Sequence, residues 1–400
     1  MSAPLANTAN AALRELETLS NSPRLADLSG DQLLMERARL TGARFQDGRS
    51  AGGTCRFLDT ADLPIALNLP RPSDWELLPA WLEVDAGVPW CWTRLADELE
   101  NRDSATLIER ARLLGLAAAP ATPPQPGPAP SEAPHFIRGT RGVGGPRDSR
   151  PTVIDLSALW AGPLCGQLLH LCGAEVIKVE SMLRPDGARF GNAFFYGLLN
   201  QGKHSVALDL RQPQDRRKLK DLLLSADIVI EASRPRALQQ LGIDVELLLK
   251  ERPELTWLSI TGYGRGEPQA QWIAFGDDAG VAAGLSEVMR NATGRHQFVG
   301  DAIADPLTGI RAALAAWRSW LSGGRQFIQT ALADVAAESL AEELNASGDS
   351  CVQQAFADWW NDVLRNGASG ANMRQRPIVD RVARLGEDTD PVLRRRGIRC

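Results

Sequence analysis

One aspartate in the chain has a sequence context that could support covalent chemistry. Asp305 lies in the stretch FVGDAIADPLTGIRAAL, directly before Pro306 and a strongly helical run. This order predicts Asp305 as the N-cap of a helix with Pro306 at its first position. Backbone N–H groups and the helix dipole stabilise a carboxylate there, so we expect Asp305 to be ionised at neutral pH. An ionised carboxylate at a cleft can act as a nucleophile, although capping alone also explains the pattern.

A strand–helix–strand unit is predicted between Thr152 and Glu180. VIDL and AEVIKVE are β-branched runs, and GPLCGQLLHLCG between them predicts a helix with Pro163 in its first turn and Gly173 at its end. Strands joined in this way are expected to be parallel, with a right-handed crossover. Because ligands bind beyond the carboxyl ends of such strands, the loop Ser157–Pro163 is the expected binding edge.

The α/β alternation continues after Glu180 and predicts a Rossmann-like parallel sheet. Acids or hydroxyls stand at the predicted strand ends, as expected where a parallel sheet meets a ligand: Asp155, Glu180, Asp209, Glu231, Ser259 and Thr261. QFVGDAIA, just before the helix of Asp305, also has a strand-like pattern.

Composition shifts divide the chain into four predicted parts. We expect a small α+β domain at residues 1–116, a Pro/Gly-rich linker at 117–151, the large α/β domain at 152–349, and a tail at 350–400 that returns to the large domain. In the first part, Cys55–Leu58 and Ile65–Leu69 are predicted to form a hairpin. Four tryptophans of this part are interpreted as core residues rather than as a ring-binding surface: Trp75, Trp81, Trp90 and Trp92.

Composition and motif searches exclude several function classes. A net charge of −5 and a pI near 5.6 give no electrostatic reason to expect nucleic acid or an anionic membrane as partner. The start of the chain lacks the features of a signal peptide, the six cysteines form no C-x-x-C pair, and the four histidines have no zinc-motif spacing. We therefore expect a reduced, cytoplasmic, metal-free protein. G-x-G-x-x-G, Walker A and G-x-S-x-G motifs are absent, which disfavours NAD binding and serine hydrolysis.

An ordered series of motifs resembles the family III CoA-transferases, the CaiB/BaiF-like group that includes formyl-CoA transferase, carnitine CoA-transferase and α-methylacyl-CoA racemase. The matching segments are VIDLSALWAGPLCGQLL, GAEVIKVE, PDGAR, NQGKHSVALDL, ADIVIEASRPRALQQLGID, LTWLSITGYG, GDAIADPLTGIRAAL and the C-terminal LGEDTDPVLRRRGI. They cover about residues 152–341 and the tail.

The resemblance implies that Asp305 is the catalytic aspartate of an acyl-CoA:carboxylate CoA-transferase. In this family the carboxylate attacks an acyl-CoA thioester and forms first a mixed anhydride and then an aspartyl-CoA thioester. The substrates implied are an acyl-CoA and an acceptor acid, with no permanently bound cofactor and no metal. The alternatives left open are an isomerase or racemase that uses Asp305 as a base, and a non-catalytic CoA-binding subunit.

The resemblance also implies residues that bind CoA. Lys203 and Arg189 match basic positions of the family motifs, and Arg184 lies close to a third such position, which Ser181 occupies. Cations near the CoA phosphates make physical sense, because charge-assisted hydrogen bonds are strong. The loop Ala161, Gly162 and Pro163 is expected to approach the pantetheine or acyl end, and Trp160 before it would narrow the acyl pocket or stack on adenine.

Some positions depart from the family pattern. Ile273 replaces a usual basic residue, and Phe275 stands where the racemase has its histidine, which disfavours racemisation; Asp277 and Asp278 follow. The segment Gly52–Leu69 resembles the start of the family's small domain, which here would precede the large domain. Gly52 and Gly53 would then belong to the glycine-rich loop over the active site. Family members are interlocked dimers, so we expect a homodimer, while the altered chain order leaves the interlocking open.

Overall fold

A computed structural model describes residues 2–85, 87, 89–123, 136–138, 150–369 and 375–399. The N-terminal part contains α1 (Ala6–Ser20), α2 (Gly30–Thr41), β1 (Cys55–Leu58), β2 (Ile65–Asn68), α3 (Pro72–Glu76), α4 (Leu78–Leu82), α5 (Trp92–Leu99), α6 (Ser104–Leu114) and β3 (Ala117–Pro120). The predicted hairpin is confirmed as β1 and β2, and β3 extends it to a three-stranded antiparallel sheet.

The α/β part alternates strands and helices, as its sequence predicts. Its elements are β4 (Phe136–Arg138), β5 (Thr152–Asp155), α7 (Ala161–Leu171), β6 (Glu175–Ser181), α8 (Ala193–Asn200), β7 (His204–Leu208), α9 (Pro213–Leu224), β8 (Ile228–Glu231), α10 (Pro235–Gln240), α11 (Val245–Glu251), β9 (Thr256–Thr261), α12 (Gly276–Ala282), α13 (Leu285–Thr293), α14 (Ala304–Leu321), β10 (Gln326–Ala331), α15 (Leu332–Ser347), α16 (Asp349–Asn366) and α17 (Thr389–Arg395).

The seven-stranded sheet has the order β4-β10-β9-β8-β5-β6-β7. All neighbours are parallel except β4, which pairs antiparallel with β10. The six parallel strands therefore have the doubly wound order, in which the connection direction reverses between β5 and β8. A crevice forms at this reversal beyond the carboxyl ends of the strands, so the fold class predicted from the sequence is confirmed.

Three large clusters of buried side chains show how the parts pack. One joins a face of the parallel sheet to α7, α14, α15 and α16, and also contains α1 and α2 from the N-terminal part. The second covers the opposite sheet face. The third lies between the β1–β3 sheet and helices α4 to α6. Trp81 is fully buried there, its indole N–H donating to the Leu107 carbonyl (2.9 Å), and Trp75, Trp90 and Trp92 pack against this core as expected.

The predicted division at residues 116 and 117 differs from this packing in two respects. Helices α1 and α2 share the core of the large domain, because their apolar faces pack on α14 and α15. Residues 117–120 form β3 instead of linker, and residues 124–135 and 139–149 of the predicted linker lie outside the described part of the chain. The domain boundaries, including the tail from residue 350, stay a prediction. No helix within the described ranges is long and apolar enough to span a membrane.

Candidate active site

The turn before α14 places Asp305 inside the helix. Helix α14 begins at Ala304, so Asp305 is its second residue, and the predicted N-cap role is wrong. The cap position is Ile303, which follows a tight turn in which Gly300 and Ala302 have φ values of +66° and +46°. This turn also explains why the strand predicted for QFVGDAIA does not form. The carboxyl group therefore points from the first turn of a long helix, where negative charge is favoured by the helix dipole.

Asp305 lies at the crevice of the sheet, in the region between α2, α12 and the first turn of α14, which we call the cleft. The residue keeps intermediate exposure, while protein atoms surround its carboxyl group closely. The Gly276 N–H donates to Asp305 Oδ2 (3.2 Å). Burial raises the pKa of Asp305 to about 7; Arg37 opposes this rise and Asp277 adds to it. The expectation of full ionisation at neutral pH is thus wrong, because the desolvation of the carboxylate outweighs the helix dipole.

Arg37 of α2 supplies the positive charge of the cleft. Its guanidinium donates two hydrogen bonds to Asp301 (2.9 and 2.5 Å) and lies 4.5 Å from the ring centre of Trp160. Asp277 and Asp305 also stabilise its charge. The residue is 264 positions away from Asp301 in the sequence, and sequence reasoning missed it because nothing in the helical run QLLMERARL distinguishes this arginine.

Asp277 is a second buried carboxyl group in the cleft. Its Oδ1 accepts a hydrogen bond from the Ala302 N–H (2.9 Å), so it fixes the turn that precedes Asp305. The Ser50 side chain also hydrogen-bonds to it. Burial and the charge of Asp301 raise the pKa of Asp277 to about 6, although Arg37 works in the opposite direction. Three carboxyl groups therefore share one guanidinium.

The glycine loop predicted to cover the site lies beside it. Gly52 is exposed, and a Cβ atom built on it would be 3.7 Å from Arg37 Nη2. Gly53 has a φ of +77°, which favours glycine, and a Cβ there would come within 2.6 Å of Arg49 Nη2. The loop thus brings backbone close to Arg37 without a side chain in the way.

Close packing of α7 on α14 brings the predicted loop of residues 160–163 to the same crevice. A Cβ on Gly309, one turn after Asp305, would lie 2.7 Å from the Ala161 carbonyl oxygen. Gly162 packs against Ser157 and Ile230 in the same way. Only glycine at these positions lets the first turns of the two helices approach so closely. Trp160 is buried under Arg37 instead of open to an acyl group, and it meets Phe195 edge to face.

Lys203 does not reach the cleft. Its ammonium group is fully buried and donates to Asp155 Oδ2 (2.9 Å) and to the Pro163 carbonyl (2.8 Å). With its charge neutralised and enclosed, it cannot contact a CoA phosphate, which corrects the expected role. Its bonds instead tie the end of β5 to the first turn of α7, which holds the crevice in shape.

Arg189 and Arg184, the two arginines predicted to bind CoA, differ in exposure and in pairing. Arg189 is mostly buried and forms a salt bridge with Glu180 (2.5 Å), with its guanidinium 4.8 Å from the Tyr196 ring centre. The guanidinium N–H groups that were expected to bind CoA therefore donate to the Glu180 carboxylate. Arg184 is exposed, and its backbone bridges to Ser181. Of the three predicted CoA-binding cations, therefore, only Arg184 faces solvent.

A second buried pair fixes the loop after β5. Lys178 bonds to Asp186 (2.9 Å) and to the Ser157 carbonyl (2.8 Å), and Asp186 Oδ1 accepts from the Leu159 N–H (2.9 Å). Leu159 has a φ of +69°, a left-handed conformation that costs energy in a non-glycine residue. The acids at the ends of β5 and β6 are thus bound to cations inside the protein.

Asp278 links the two parts of the molecule. Its Oδ1 accepts from Asn68 Nδ2 (3.0 Å) on β2 and from the Phe275 N–H (3.0 Å), while Asp278 Oδ2 and Asn68 Oδ1 are buried without a partner among the described residues. Burial raises the pKa of Asp278 to about 7. A proton on Oδ2 would give it a hydrogen to donate, so the neutral acid fits this environment.

The arrangement can support covalent chemistry at a carboxylate. Asp305 keeps intermediate exposure, within the influence of a cation and in contact with a backbone donor. Within the described ranges, no group of three or more acidic, cysteine or histidine side chains could hold a metal ion. These features and the doubly wound sheet define an α/β protein with a carboxyl group at its switch-point crevice.

Comparison with known proteins identifies the family. A family model described as CoA-transferase family III matches residues 150–356, just over half of the chain. The chain belongs to this family.

Curated relatives and a solved structure each match about half of the chain. It is 33% identical over 208 residues to a succinate–glutarate CoA-transferase of Agrobacterium fabrum, covering 48% of this chain and 52% of the relative. It is 30% identical over 193 residues to a formyl-CoA:oxalate CoA-transferase of Afipia carboxidovorans, covering 46% and 45%. The crystal structure of Rv3272 from Mycobacterium tuberculosis is 31% identical with a TM-score of 0.45, covering 50% of this chain and 58% of that one. The chain thus spans about half the length of the curated relatives it matches.

Proposed function

We propose that this protein is an enzyme that transfers CoA between an acyl-CoA thioester and a carboxylic acid, with Asp305 as the covalent nucleophile. The observation that carries the proposal is the position of Asp305: it lies in a cleft at the crevice of the sheet, next to Arg37 and the Gly276 N–H. Family membership and the relatives named as CoA-transferases support the same reaction class.

The first half of the reaction opens the thioester. The ionised Asp305 attacks the acyl carbonyl carbon, the C–S bond breaks, and CoA leaves as the thiolate, giving a mixed anhydride. The thiolate then attacks the Asp305 carbonyl carbon, which releases the first carboxylate and leaves an aspartyl-CoA thioester. The second half runs these two steps in reverse with the acceptor acid, so that no proton or electron is gained or lost overall.

Two groups of the cleft would lower the barriers. The Gly276 N–H already points at Oδ2 of Asp305, and it would stabilise the negative oxygen that forms when the aspartyl carbonyl is attacked. Arg37 would stabilise the ionised carboxylate before attack, since its charge opposes the rise in the pKa of Asp305.

Gly276 is also required for space. A Cβ on this residue would lie 2.7 Å from Asp305 Oδ2 and would collide with the Ala302 carbonyl. Any larger residue would push the carboxyl group away from the N–H donor.

The experiment is a trapping assay with an acyl-CoA donor. Incubation followed by hydroxylamine, with mass analysis of the peptide that contains Asp305, is expected to show a modified aspartate, and Asp305→Asn is expected to show none. Turnover by that variant, or an adduct on another residue, would contradict the proposal.

A second candidate function is isomerisation at the carbon next to the thioester. A pKa of about 7 suits a general base at neutral pH, and this observation on Asp305 favours the alternative. Exchange of the α-proton in deuterated water, without a trapped adduct, would establish it. The homodimer implied by the family resemblance is part of the same proposal and is testable by light scattering of the purified chain.

A further inference from the structure

Acidic groups outnumber basic ones around Asp305, and this imbalance bears on the acyl groups that the cleft can accept. Asp277 lies in the first turn of α12, Asp305 in the first turn of α14, and Asp301 in the turn before α14. The Ala302 N–H donates to Asp277 (2.9 Å), and the N–H of Gly276 donates to Asp305 (3.2 Å). These two hydrogen bonds join α12 to the turn, so the three acids lie in one small region.

The charge of Arg37 is directed mainly to one of these acids. Its Nε and Nη2 donate to the two carboxylate oxygens of Asp301 (2.9 and 2.5 Å), the paired geometry in which such hydrogen bonds are strongest. Trp160 covers the guanidinium, with its ring centre at 4.5 Å. Asp301 is itself only 1% exposed, so breaking the pair to bind a ligand would leave a buried charge without its partner. The charges of Arg37 and Asp301 therefore cancel each other.

Other basic residues do not make up the deficit. Lys203 and Arg189 are paired with acids inside the protein. Arg49 is exposed and packs against the glycine loop. Of the charged groups with the largest effects on the pKa of Asp305, Arg37 is the only cation among the described residues. Once Arg37 is paired, the nucleophile has no second strong counter-charge in the described part of the chain.

The proposed reaction sets the charge that the cleft must hold. Before the first attack Asp305 is ionised while Asp301 cancels Arg37, so the cleft carries at least one net negative charge. In the aspartyl-CoA thioester Asp305 is neutral, and the reacting carboxylate of the acceptor acid restores the same charge. One carboxylate at a time is therefore accommodated. A second carboxylate on the acyl chain would add a negative charge without a cation to pair with.

The pKa values of two acids show how this region treats added negative charge. Burial raises the pKa of Asp277 to about 6 and that of Asp305 to about 7, and in each case a neighbouring acid adds to the rise. A carboxylate at the far end of an acyl chain would meet the same desolvation and the same repulsion. An uncharged chain would meet neither.

We propose that the cleft selects acyl groups of monocarboxylic acids over those of dicarboxylic acids, and that Asp301 sets this selectivity by holding the charge of Arg37. This substrate class rests on the proposed function, because an acyl chain lies beside these acids only if it reacts at Asp305. Asp301 is a positioning residue, since it acts through Arg37 and forms no bond to the substrate. Succinyl and glutaryl groups, which the name of the Agrobacterium fabrum relative indicates for that protein, are expected to react poorly here.

The test compares butyryl-CoA with succinyl-CoA, whose acyl groups both have four carbons and differ in the terminal carboxylate. The full chain is incubated with each donor and hydroxylamine, and mass analysis of the peptide gives the initial rate of modification at Asp305. The rate per unit donor concentration should be at least about tenfold higher for butyryl-CoA, because the repulsion acts on succinyl-CoA alone. The difference should appear mainly in the donor concentration that gives half the maximal rate, since the repulsion opposes binding.

Asp301→Asn keeps a hydrogen-bond acceptor for Arg37 but removes the negative charge that cancels it. The released positive charge can pair with the succinyl carboxylate, so the preference for butyryl-CoA should fall by about fivefold or more. A purely structural effect would slow both donors and leave their ratio unchanged. Asp390→Asn is the matched control, because it removes an exposed acid that faces Arg394 (3.7 Å) on α17, and it should keep the wild-type ratio.

Failure of this inference is distinguishable from failure of the proposed function. If succinyl-CoA modifies Asp305 as fast as butyryl-CoA, the inference is wrong and the proposed function stands. If neither donor modifies Asp305, the proposed function is wrong, and the inference falls with it. If Asp301→Asn is folded, as thermal unfolding shows, and keeps the wild-type ratio, Asp301 does not set the selectivity. The wild-type comparison decides the substrate class even if the variant does not fold.

Discussion

Two charged regions at the crevice, one at the end of β5 and one at the start of α14, shift the pKa values of their aspartates in opposite directions. At the end of β5, Asp155 meets the ammonium of Lys203 at 2.9 Å, and Lys178 meets Asp186 at the same distance. Burial alone would raise the pKa of Asp155, but Lys203 and Lys178 hold it below its usual value.

Around the first turns of α12 and α14, the acids Asp277, Asp301 and Asp305 share Arg37 as their cation, and the pKa of Asp305 rises to about 7. This difference in pKa distinguishes the acids that hold the structure together from the acid proposed to react. Neutralised charges hold a loop in place, whereas a carboxyl group with a pKa near 7 is only partly ionised at neutral pH and is a stronger base and nucleophile in its ionised form.

The largest expected effect concerns Asp305 itself. Asp305→Asn keeps the size and polarity of the side chain but removes the nucleophile, so transfer should fall by at least about 10⁴-fold, as for other catalytic nucleophiles. Asp334→Asn is the control, since Asp334 also lies in the first turn of its helix, α15. Steady-state kinetics measures both, and equal activity of the Asp305 variant and the control would remove Asp305 from the mechanism.

Breaking a neutralised pair should cost stability. Lys203→Met leaves Asp155 buried without its cation, and we expect a loss of about 3–5 kcal/mol in the free energy of unfolding. Lys220→Met, which removes an exposed partner of Glu251, should cost about 1 kcal/mol or less. Urea unfolding of the two variants gives the comparison. If both variants lose a similar free energy of unfolding, the buried pair of Lys203 and Asp155 does not stabilise the fold more than an exposed pair does.

At Asp278, a substitution is expected to increase the free energy of unfolding instead of lowering it. Its raised pKa, about 7, means that the folded state holds a proton that the unfolded state loses near pH 4. Stability from this group therefore falls as pH rises from about 4 to about 7. Asp278→Asn cannot ionise and can donate toward Asn68 Oδ1, so it should be more stable than the wild type by about 1–3 kcal/mol at pH 8.

Urea unfolding of Asp278→Asn and the wild type at both ends of this range measures the effect. The gain should shrink as the pH approaches 4, where the wild-type acid is also neutral. A variant that is less stable than the wild type at pH 8 would contradict the raised pKa of Asp278.

The smallest effect should appear in the pH profile. Arg37 lowers the pKa of Asp305, so Arg37→Gln should move the rising limb of kcat/KM to higher pH, by about one pH unit. Arg37→Lys keeps the charge and should leave the midpoint near that of the wild type, even if the paired hydrogen bonds to Asp301 weaken. An unchanged midpoint in Arg37→Gln would show that Arg37 does not control the ionisation of the nucleophile.

Local patterns predicted the scaffold well. The unit from Thr152 to Glu180 forms β5, α7 and β6 as its β-branched runs and Pro163 indicate, and the hairpin of β1 and β2 begins and ends within a residue of its prediction. Such signals depend on neighbours in sequence, which is where turn and capping chemistry acts.

The site was predicted only in part, for a physical reason. Asp305 was found through its motif, but its ionisation depends on burial by distant segments and on the charge of Arg37, which lies in another part of the chain. The position of Lys203 looked suited to phosphate because its partner, Asp155, is 48 residues away and no local pattern reveals that pairing. Contacts between distant residues decide whether a charged side chain is paired inside the protein or available to a ligand. Local patterns in a single sequence do not reveal these contacts.

The contact between Arg37 and Asp301 has a consequence for how the chain can be connected. It joins α2 to the turn before α14, 264 positions apart, and α2 packs on α14, so the contact does not depend on the route of the backbone between them. The entropy of closing a loop grows only slowly with its length. A gene that carries the N-terminal part in front of the large domain, behind it, or as a separate polypeptide could therefore assemble the same cleft. Circular permutants, or two co-expressed fragments, would keep the chemistry as long as the helix contacts form.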